Sequence, residues 1–599
     1  MKINDFHKLT KNYSPPPLPP AAGSGKPQPE IKLSLADQAS FSPRLNQLNT
    51  AKISPKIPSG QELERLYQEI YGADDRYFPS DASDLGLHKN DGQLESFDPQ
   101  ELAEYRQVYR AFAQKLNKLN YESLPPRQKA EYLMVKSQLA YRENFLNQSK
   151  EWQKDPSYYT DIAIHSLYGL LSRDFAPLKA RLKSAVSRLQ QFPRLFSQAR
   201  ANLNNPPRVF TEIAMDAVNS SEGLFNRMIP LLVAHAPELE AQVLKARDTG
   251  FFALQDYGRY LEEDLLPQSK GNFAVGANAF DRKLREEKLL KYNHQDLWEL
   301  GHQLFNQTEK QLTQLSEIHY PGKTWQEVIA FLGENHPSKE NLIKSYQMAA
   351  QVARDFVAQK GFVDFPREEK LQIMETPEFI RSLIPFAAYF PPAAYEKGGG
   401  GQFWVTPVNE KLSYEQQESQ LREHPYSKIH YTVSHESYPG HHLQFSWVSG
   451  LTSDVLKRSH DTLFIEGWAF YCEDLMKEQG YLGKEGQFAQ LKAQIWRAAR
   501  VILDVGLHTE KLTLEDGVKF LKEKVGMDRN CAVGEVKRYA KTPTQPLSYY
   551  IGKLEIMKLR KLFNRKMPGL SLKEFHQMLL NCGAMPPALI PVYYGLKSR

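Results

Sequence analysis

The run His435-Glu436-Ser437-Tyr438-Pro439-Gly440-His441-His442, followed by Glu466 in Phe464-Ile465-Glu466-Gly467-Trp468-Ala469, constrains this chain more than any other segment. It gathers three imidazoles and two carboxylates and interrupts them with Pro and Gly. A catalytic metal site needs three protein ligands, an open position and a carboxylate that can accept a proton, and this set can supply all of them.

The spacing is unusual. In the common helical metal motif two His stand four residues apart, one above the other on one face. Here that position is Pro439. At roughly 100° per residue, His441 lies about 120° off the face of His435. His442 returns to that face about 10 Å along the axis, too far for two bonds of roughly 2 Å to one ion. A regular helix therefore serves neither His441 nor His442. Pro439 has no N–H for the carbonyl of His435, and its ring crowds that carbonyl. Gly440 tolerates backbone angles that other residues avoid. The expectation is an irregular turn inside the helix that brings His441 back towards His435, with the freed carbonyls taken up by side chains or water.

Composition narrows the class. With 599 residues, 41% hydrophobic and 24% charged, the chain can bury a large core in two or more lobes. A net charge of +6 is mild for this length, and no basic run marks a nucleic-acid surface. Three widely spaced cysteines, Cys472, Cys531 and Cys582, argue against a disulfide framework, and Cys472 reads as a buried thiol. No apolar stretch is long enough to span a bilayer, so no membrane partner is expected. Met1–Asp5 lacks the apolar core of a signal peptide. The expected compartment is cytoplasmic.

Residues 1–58 are rich in Pro, Ser and Lys and include Pro15-Pro16-Pro17-Leu18-Pro19-Pro20. They read as a disordered tail, locally polyproline II, with residues 15–20 as a candidate ligand for a Pro-binding module. From 59 to 360 the pattern is that of a helical lobe. Apolar residues recur at spacings of three and four in 62–71, 99–119, 174–204, 236–264, 294–318 and 339–360. Residues 361–599 form the lobe that carries the metal residues, with a small β element near 363–408. Leu371-Gln372-Ile373-Met374 and Gln402-Phe403-Trp404-Val405 read as strands, with Gly398–Gly401 in the loop before the second. Gly401 and Phe403 are candidates for binding a substrate peptide that adds to this edge as an extra strand. The fold class is thus mainly α: a large multi-helical protein with a small β element beside a metal cleft.

The runs H-E-S-Y-P-G-H-H-L-Q (435–444) and I-E-G-W-A-F-Y-C-E (465–473) resemble the bacterial family catalogued as domain of unknown function 885, grouped with gluzincin-like zinc metallopeptidases. R-V-I-L-D-V-G-L-H (500–508), R-Y-A-K-T-P-T-Q-P-L-S-Y-Y-I-G-K-L-E-I (538–556) and A-S-D-L-G-L-H (82–88) extend the resemblance over roughly 60–599. It implies a gluzincin-like fold holding one Zn2+ per chain. The ligands would be His435, His441 and Glu466, with His442 as the alternative, and Glu436 would be the general base. It further implies peptidase action as a reaction class but no substrate; a helix-walled cleft, by analogy of fold, would restrict such a peptidase to short peptides. Tyr549 falls where the family has its regular Tyr before Gly552, which suggests a hydrogen-bond donor to the oxyanion, with Tyr550 as the second choice.

Other residues could support such a site. Arg538, Tyr539 and Gln545 are candidates for substrate binding, since an Arg can hold a terminal carboxylate and would favour carboxypeptidase action. Asp504 and His508, with Arg500, recur at helical spacing and could orient a ligand His, as could Glu473, seven residues beyond Glu466. Two other readings stand beside the peptidase. One is a catalytically silent helical binding protein with a structural zinc. The other is a factor that meets a partner through the Pro-rich tail.

Overall fold

The computed structural model describes residues 59–596, apart from 368, 379, 380, 382, 383, 385 and 397–399. The tail expected for 1–58 and its Pro-rich run, like Gly398 and Gly399 of the glycine loop, lie outside the described residues.

The fold is mainly helical. The periodic stretches correspond to Ser59–Tyr77, Pro99–Lys118, Leu178–Asn202, Glu240–Tyr260, His294–His319 and Leu342–Lys360. Their ends follow local chemistry. Asp98 caps Pro99–Lys118 by accepting from Gln100 N at 2.9 Å, and Asn293 and Asp296 form a reciprocal capping box at His294. Gly361, at φ 64°, closes Leu342–Lys360. Pro156–Ser172 is buried on nearly every side, so its sequence carries no amphipathic period to read.

Two hydrophobic cores run through the molecule. One joins N-terminal helices (Leu63, Tyr67, Phe192, Phe225) to Phe403, Phe464, Trp468 and Phe563. The other joins Phe280–Leu332 to Phe470, Ile495, Ile502 and Ile551. Each draws on residues before and after 360.

The sheet has three strands, β1 (Leu371–Glu375), β2 (Ala387–Phe390) and β3 (Gly401–Val405), in the order β1-β3-β2. β3 pairs in parallel with β1 (Leu371 opposite Gly401) and antiparallel with β2 (Tyr389 opposite Phe403). β1 and β3 match the strands read from sequence, whereas β2 was not anticipated. This corrects the reading of Gly401 and Phe403 as a substrate-binding edge. β3 is the central strand, buried throughout and paired on both sides, and Phe403 packs edge-on against Tyr346. From β2 the Tyr389 side chain reaches His441 and His442.

Six helices build the site: α1 (Tyr426–Glu436), α2 (His441–Ser449), α3 (Thr462–Glu478), α4 (Lys484–His508), α5 (Arg529–Lys541) and α6 (Ser548–Lys566). Asp461 starts α3 by accepting from the backbone N–H groups of Leu463 and Phe464. Helices α3 and α6 cross in backbone contact. A Cβ on Gly467 would stand 2.4 Å from the Gly552 carbonyl carbon, and one on Gly552 would stand 2.0 Å from the Leu463 carbonyl oxygen. Only glycine fits either place. The E-G-W and Y-Y-I-G motifs are therefore two halves of one helix crossing. Tyr549, three residues before Gly552 on the same face of α6, is thereby held close to Glu466.

Candidate metal centre

The helix that begins at Tyr426 does not bulge around Pro439; it stops. α1 ends at Glu436, Ser437 leaves helical geometry (φ −122°, ψ −89°), and α2 starts afresh at His441. The expected irregular turn inside one helix is thus a complete break between two. The reason is visible at Gly440, whose backbone lies against the carbonyl of His435. A Cβ there would fall 1.8 Å from the His435 oxygen and 2.6 Å from the Ser434 oxygen. The freed carbonyls find partners. Ser437 Oγ and the N–H groups of Ser437 and Tyr438 donate to Val433 O, and Trp468 Nε1 donates to Pro439 O at 3.0 Å. Cys472, a buried thiol, also points at Pro439 O. The Trp of the E-G-W motif therefore ties α3 to the break.

The break brings His435, His441 and Glu466 together, with one candidate ligand atom from each lying within 4.8 Å of the others. Nε2 of His435 and of His441 stand 3.6 Å and 3.4 Å from Glu466 Oε2. The two rings are nearly perpendicular, with centroids 4.8 Å apart. Glu466 Oε2 is buried and accepts no hydrogen bond among the described residues. Two atoms each bound at roughly 2.0–2.1 Å in a tetrahedral shell are themselves roughly 3.4 Å apart, so these separations suit a cation between them. Two His and one carboxylate is a donor set that could hold a divalent metal ion.

His442 goes elsewhere. It is fully buried, its Nε2 lies 2.6 Å from Glu369 Oε2, and its Nδ1 lies 3.0 Å from the Tyr389 hydroxyl. Glu369 also accepts from Tyr438 OH (2.5 Å) and Arg354 Nε (2.9 Å). Burial opposes its charge, but these partners hold its carboxyl down at about 2. This buried network, invisible to spacing arguments, fixes the far side of the break. Gly401 belongs to it: a Cβ there would overlap the Tyr389 hydroxyl, so its bare backbone lets Tyr389 reach His442.

Glu473 Oε1 stands 2.8 Å from His435 Nδ1 and also meets Arg497 Nη2 at 3.4 Å. A carboxylate on the outer ring nitrogen fixes the tautomer that points Nε2 inward. Burial disfavours the His435 imidazolium, yet Glu466 and Glu473 outweigh it and push its pKa up to about 9. A cation would take that proton's place. Glu436 is half-buried beside the two His, and burial raises its pKa.

Tyr549 stacks near His435, with centroids 6.2 Å apart and planes 15° apart, and lies close enough to Glu466 to feel its charge. Tyr550 turns to Phe470 and Lys553 instead. Arg538 bonds Glu535 and Gln545 and keeps a third of its side chain exposed. Tyr539, expected to touch substrate, is fully buried, and its hydroxyl is saturated by Glu535, Trp496 and Arg500. Asp504 and His508, expected to orient a ligand, are likewise corrected. Asp504 accepts from Thr544 N (3.1 Å) and Leu547 N (3.2 Å), pinning the loop that leads into α6. His508 contacts Tyr539 O at 3.0 Å. Burial moves Asp504 up to about 8 and His508 down to about 4, as for neutral packed groups. The i, i+4 stripe holds α4, α5 and α6 together rather than the metal residues. His460, which the sequence reading passed over, lies on the rim beside Phe445, close enough to Glu466 to sense it.

One consequence follows from Gly440. Gly440→Ala cannot keep both the His435 carbonyl and the start of α2 in place, so His441 should swing away from Glu466. Affinity for a divalent metal ion, measured against a competing chelator, is expected to fall by at least about tenfold, with a stability loss of roughly 1–3 kcal/mol from overpacking. Unchanged affinity would show that the close approach is dispensable.

A family model described as "Bacterial protein of unknown function (DUF885)" matches residues 79–591. Among curated proteins nothing matches. Two solved structures share the fold over 90% of this chain and the whole of their own. One is a "putative lipoprotein of unknown function" from Shewanella oneidensis, 23% identical with a TM-score of 0.73. The other is a "putative lipoprotein" from Colwellia psychrerythraea, 18% identical with a TM-score of 0.77. An M32 carboxypeptidase from Deinococcus radiodurans aligns over 83% of this chain and 95% of its own at 14% identity, but with a TM-score of 0.31. The lipoprotein descriptions overturn the expectation of a cytoplasmic compartment. No helix among the described residues is long and apolar enough to cross a membrane.

Proposed function

The chain belongs to the DUF885 family, and on that premise we propose that it is a zinc-dependent peptidase that hydrolyses short peptides. The observation that carries this reading is the convergence of His435, His441 and Glu466, with the free carboxylate of Glu436 beside them. These three side chains would hold one Zn2+. When bound, the metal supplies Lewis acidity towards a carbonyl and acidifies water.

The chain's own residues do the rest. Glu436 takes a proton from the attacking water and returns it to the departing amine. Its half-buried position and the charge of Glu466 both favour a carboxylate that readily holds a proton. Tyr549 can donate its phenol hydrogen to the carbonyl oxygen as negative charge develops there. Glu473 and Arg497 keep the His435 ring oriented, and the Glu369 network keeps His442 out of the site. β2, whose Tyr389 ring stacks 6.3 Å from that of His441, has one edge unpaired among the described residues, where an extended peptide could align. The lipoprotein descriptions of the two fold relatives support a setting outside the cytoplasm or at a membrane surface.

The intact Glu436 and a set of three protein donors rather than four weigh against a silent protein with a structural zinc, since such sites fill all four positions with protein ligands. The test is digestion of a mixed peptide library, read by mass spectrometry, with and without chelator. Chelator-sensitive cleavage restored by Zn2+ is expected. A library left intact by the zinc-loaded protein would contradict the proposal.

A further inference from the structure

We infer that the substrate is recognised by its free C-terminal carboxylate, received by the guanidinium groups of Arg500 and Arg538 behind Tyr549. The inference deepens the peptidase reading and rests on it. It makes the protein a C-terminal exopeptidase.

Three guanidinium groups surround Tyr549. The Cζ atoms of Arg500 and Arg497 lie 4.4 Å and 5.8 Å from its ring centroid, and Arg538 is close enough to influence its hydroxyl. Two carboxylates pair with them directly. Glu473 takes Arg497, and a single oxygen of Glu535, Oε2, takes both Arg500 (3.0 Å) and Arg538 (2.8 Å). The direct pairs therefore leave the three guanidinium groups one carboxylate short, with Glu466 and Glu436 the next anions, near Tyr549 and Arg497. A substrate carboxylate received at Arg500 and Arg538 would complete the direct pairing.

The groups are also fixed in advance. Arg500 Nε donates to Tyr539 OH at 3.0 Å, and Arg538 Nη1 donates to Gln545 Oε1 at 3.2 Å. Each guanidinium thus spends part of its fork on the protein and keeps part free. Arg500 Nη1 makes no hydrogen bond among the described residues. The Arg538 side chain is 34% exposed, against 5% for Arg500 and 8% for Arg497.

The distance fits the chemistry. Tyr549 stands between Arg500 and His435, stacked on the one and 6.2 Å from the other. Both the Arg500 guanidinium and the His435 ring thus neighbour the one Tyr549 ring. The two separations put the Arg500 guanidinium within about 11 Å of the His435 ring, a reach of up to about three residues of extended peptide at roughly 3.3–3.6 Å each. A peptide with its scissile carbonyl at His435, His441 and Glu466 would then deliver its terminal carboxylate to Arg500 and Arg538, a planar anion on paired N–H donors. An internal segment of a longer chain would bring a neutral amide there and leave the guanidinium groups unpaired.

The test compares identical hexapeptides carrying a free C-terminal acid or a C-terminal amide, using the zinc-loaded full chain. The acid is expected to be cut with kcat/KM at least about tenfold higher, as befits a charge-assisted hydrogen-bonded pair, and fragments should be released from the C-terminal end. Arg538→Gln should raise KM for the acid by a similar factor and shrink the acid-to-amide ratio towards one, with Arg538→Lys recovering part of it. Melting temperature and zinc content identify any variant that fails to fold, in which case the acid-to-amide ratio of the wild type decides. Equal cleavage of acid and amide, or cleavage at internal bonds, would overturn this inference and leave the peptidase reading standing. If no peptide is cut, that reading fails separately. Calorimetric binding of the same two peptides to zinc-loaded Glu436→Gln then decides, with preference for the acid as support and equal affinity as refutation.

Discussion

Glu436→Gln is expected to keep the fold and the bound metal and to lose peptide hydrolysis by a factor of about 10²–10⁴ or more, the range for loss of a positioned general base. Gln has the same size and removes only the proton-accepting charge. Glu436 is the last residue of α1, next to His435, and is half-buried, so the substitution disturbs neither the Gly440 contact nor the Trp468 hydrogen bond that set the break. Zinc content by elemental analysis and turnover of any peptide cut by the wild type check both halves. Undiminished turnover would remove Glu436 from the mechanism and leave the ligand cluster unexplained as a catalytic device.

His441→Ala should lose most of the zinc affinity, while His442→Ala should keep it. The two residues are neighbours in sequence, but the break sends them apart. His441 faces Glu466 across 3.4 Å, whereas both ring nitrogens of His442 are engaged with Glu369 and Tyr389. Removing one of three ligands takes away a metal bond outright. Removing His442 leaves the buried, ionised Glu369 short of a partner, so His442→Ala should instead cost roughly 1–3 kcal/mol of stability. The signature is a crossed pattern: lost metal with a near-normal melting temperature for the first variant, and retained metal with a lowered melting temperature for the second.

The residues that cluster at the candidate centre, His435, His441 and Glu466, were legible in the sequence because a metal site would demand such side chains, and Pro439-Gly440 announced that the helix could not run straight. Spacing alone could not choose between His441 and His442, since a break leaves the path of the chain free. The choice depends on Gly440 against the His435 carbonyl and on Glu369, which lies some seventy residues upstream and bears no motif. Glu473 was readable as a heptad neighbour of Glu466 on one helix face. Asp504 and His508 had the same kind of spacing, but they face a different pair of helices, and periodicity does not say which neighbour a face meets. β2 went unread because four residues, Ala387-Ala388-Tyr389-Phe390, gain their strand geometry from pairing with β3 rather than from any pattern of their own. Helix content was accessible wherever a helix has one wet face, and least so at Pro156–Ser172, which has none.

The most direct measurement is a zinc titration of the metal-free full chain beside His441→Ala and His442→Ala, followed by competition with a chromophoric chelator. The account predicts one tight site per chain in the wild type and in His442→Ala, and none of comparable affinity in His441→Ala. A wild type that binds no zinc, or a His442→Ala variant that is the one to lose it, would contradict the account.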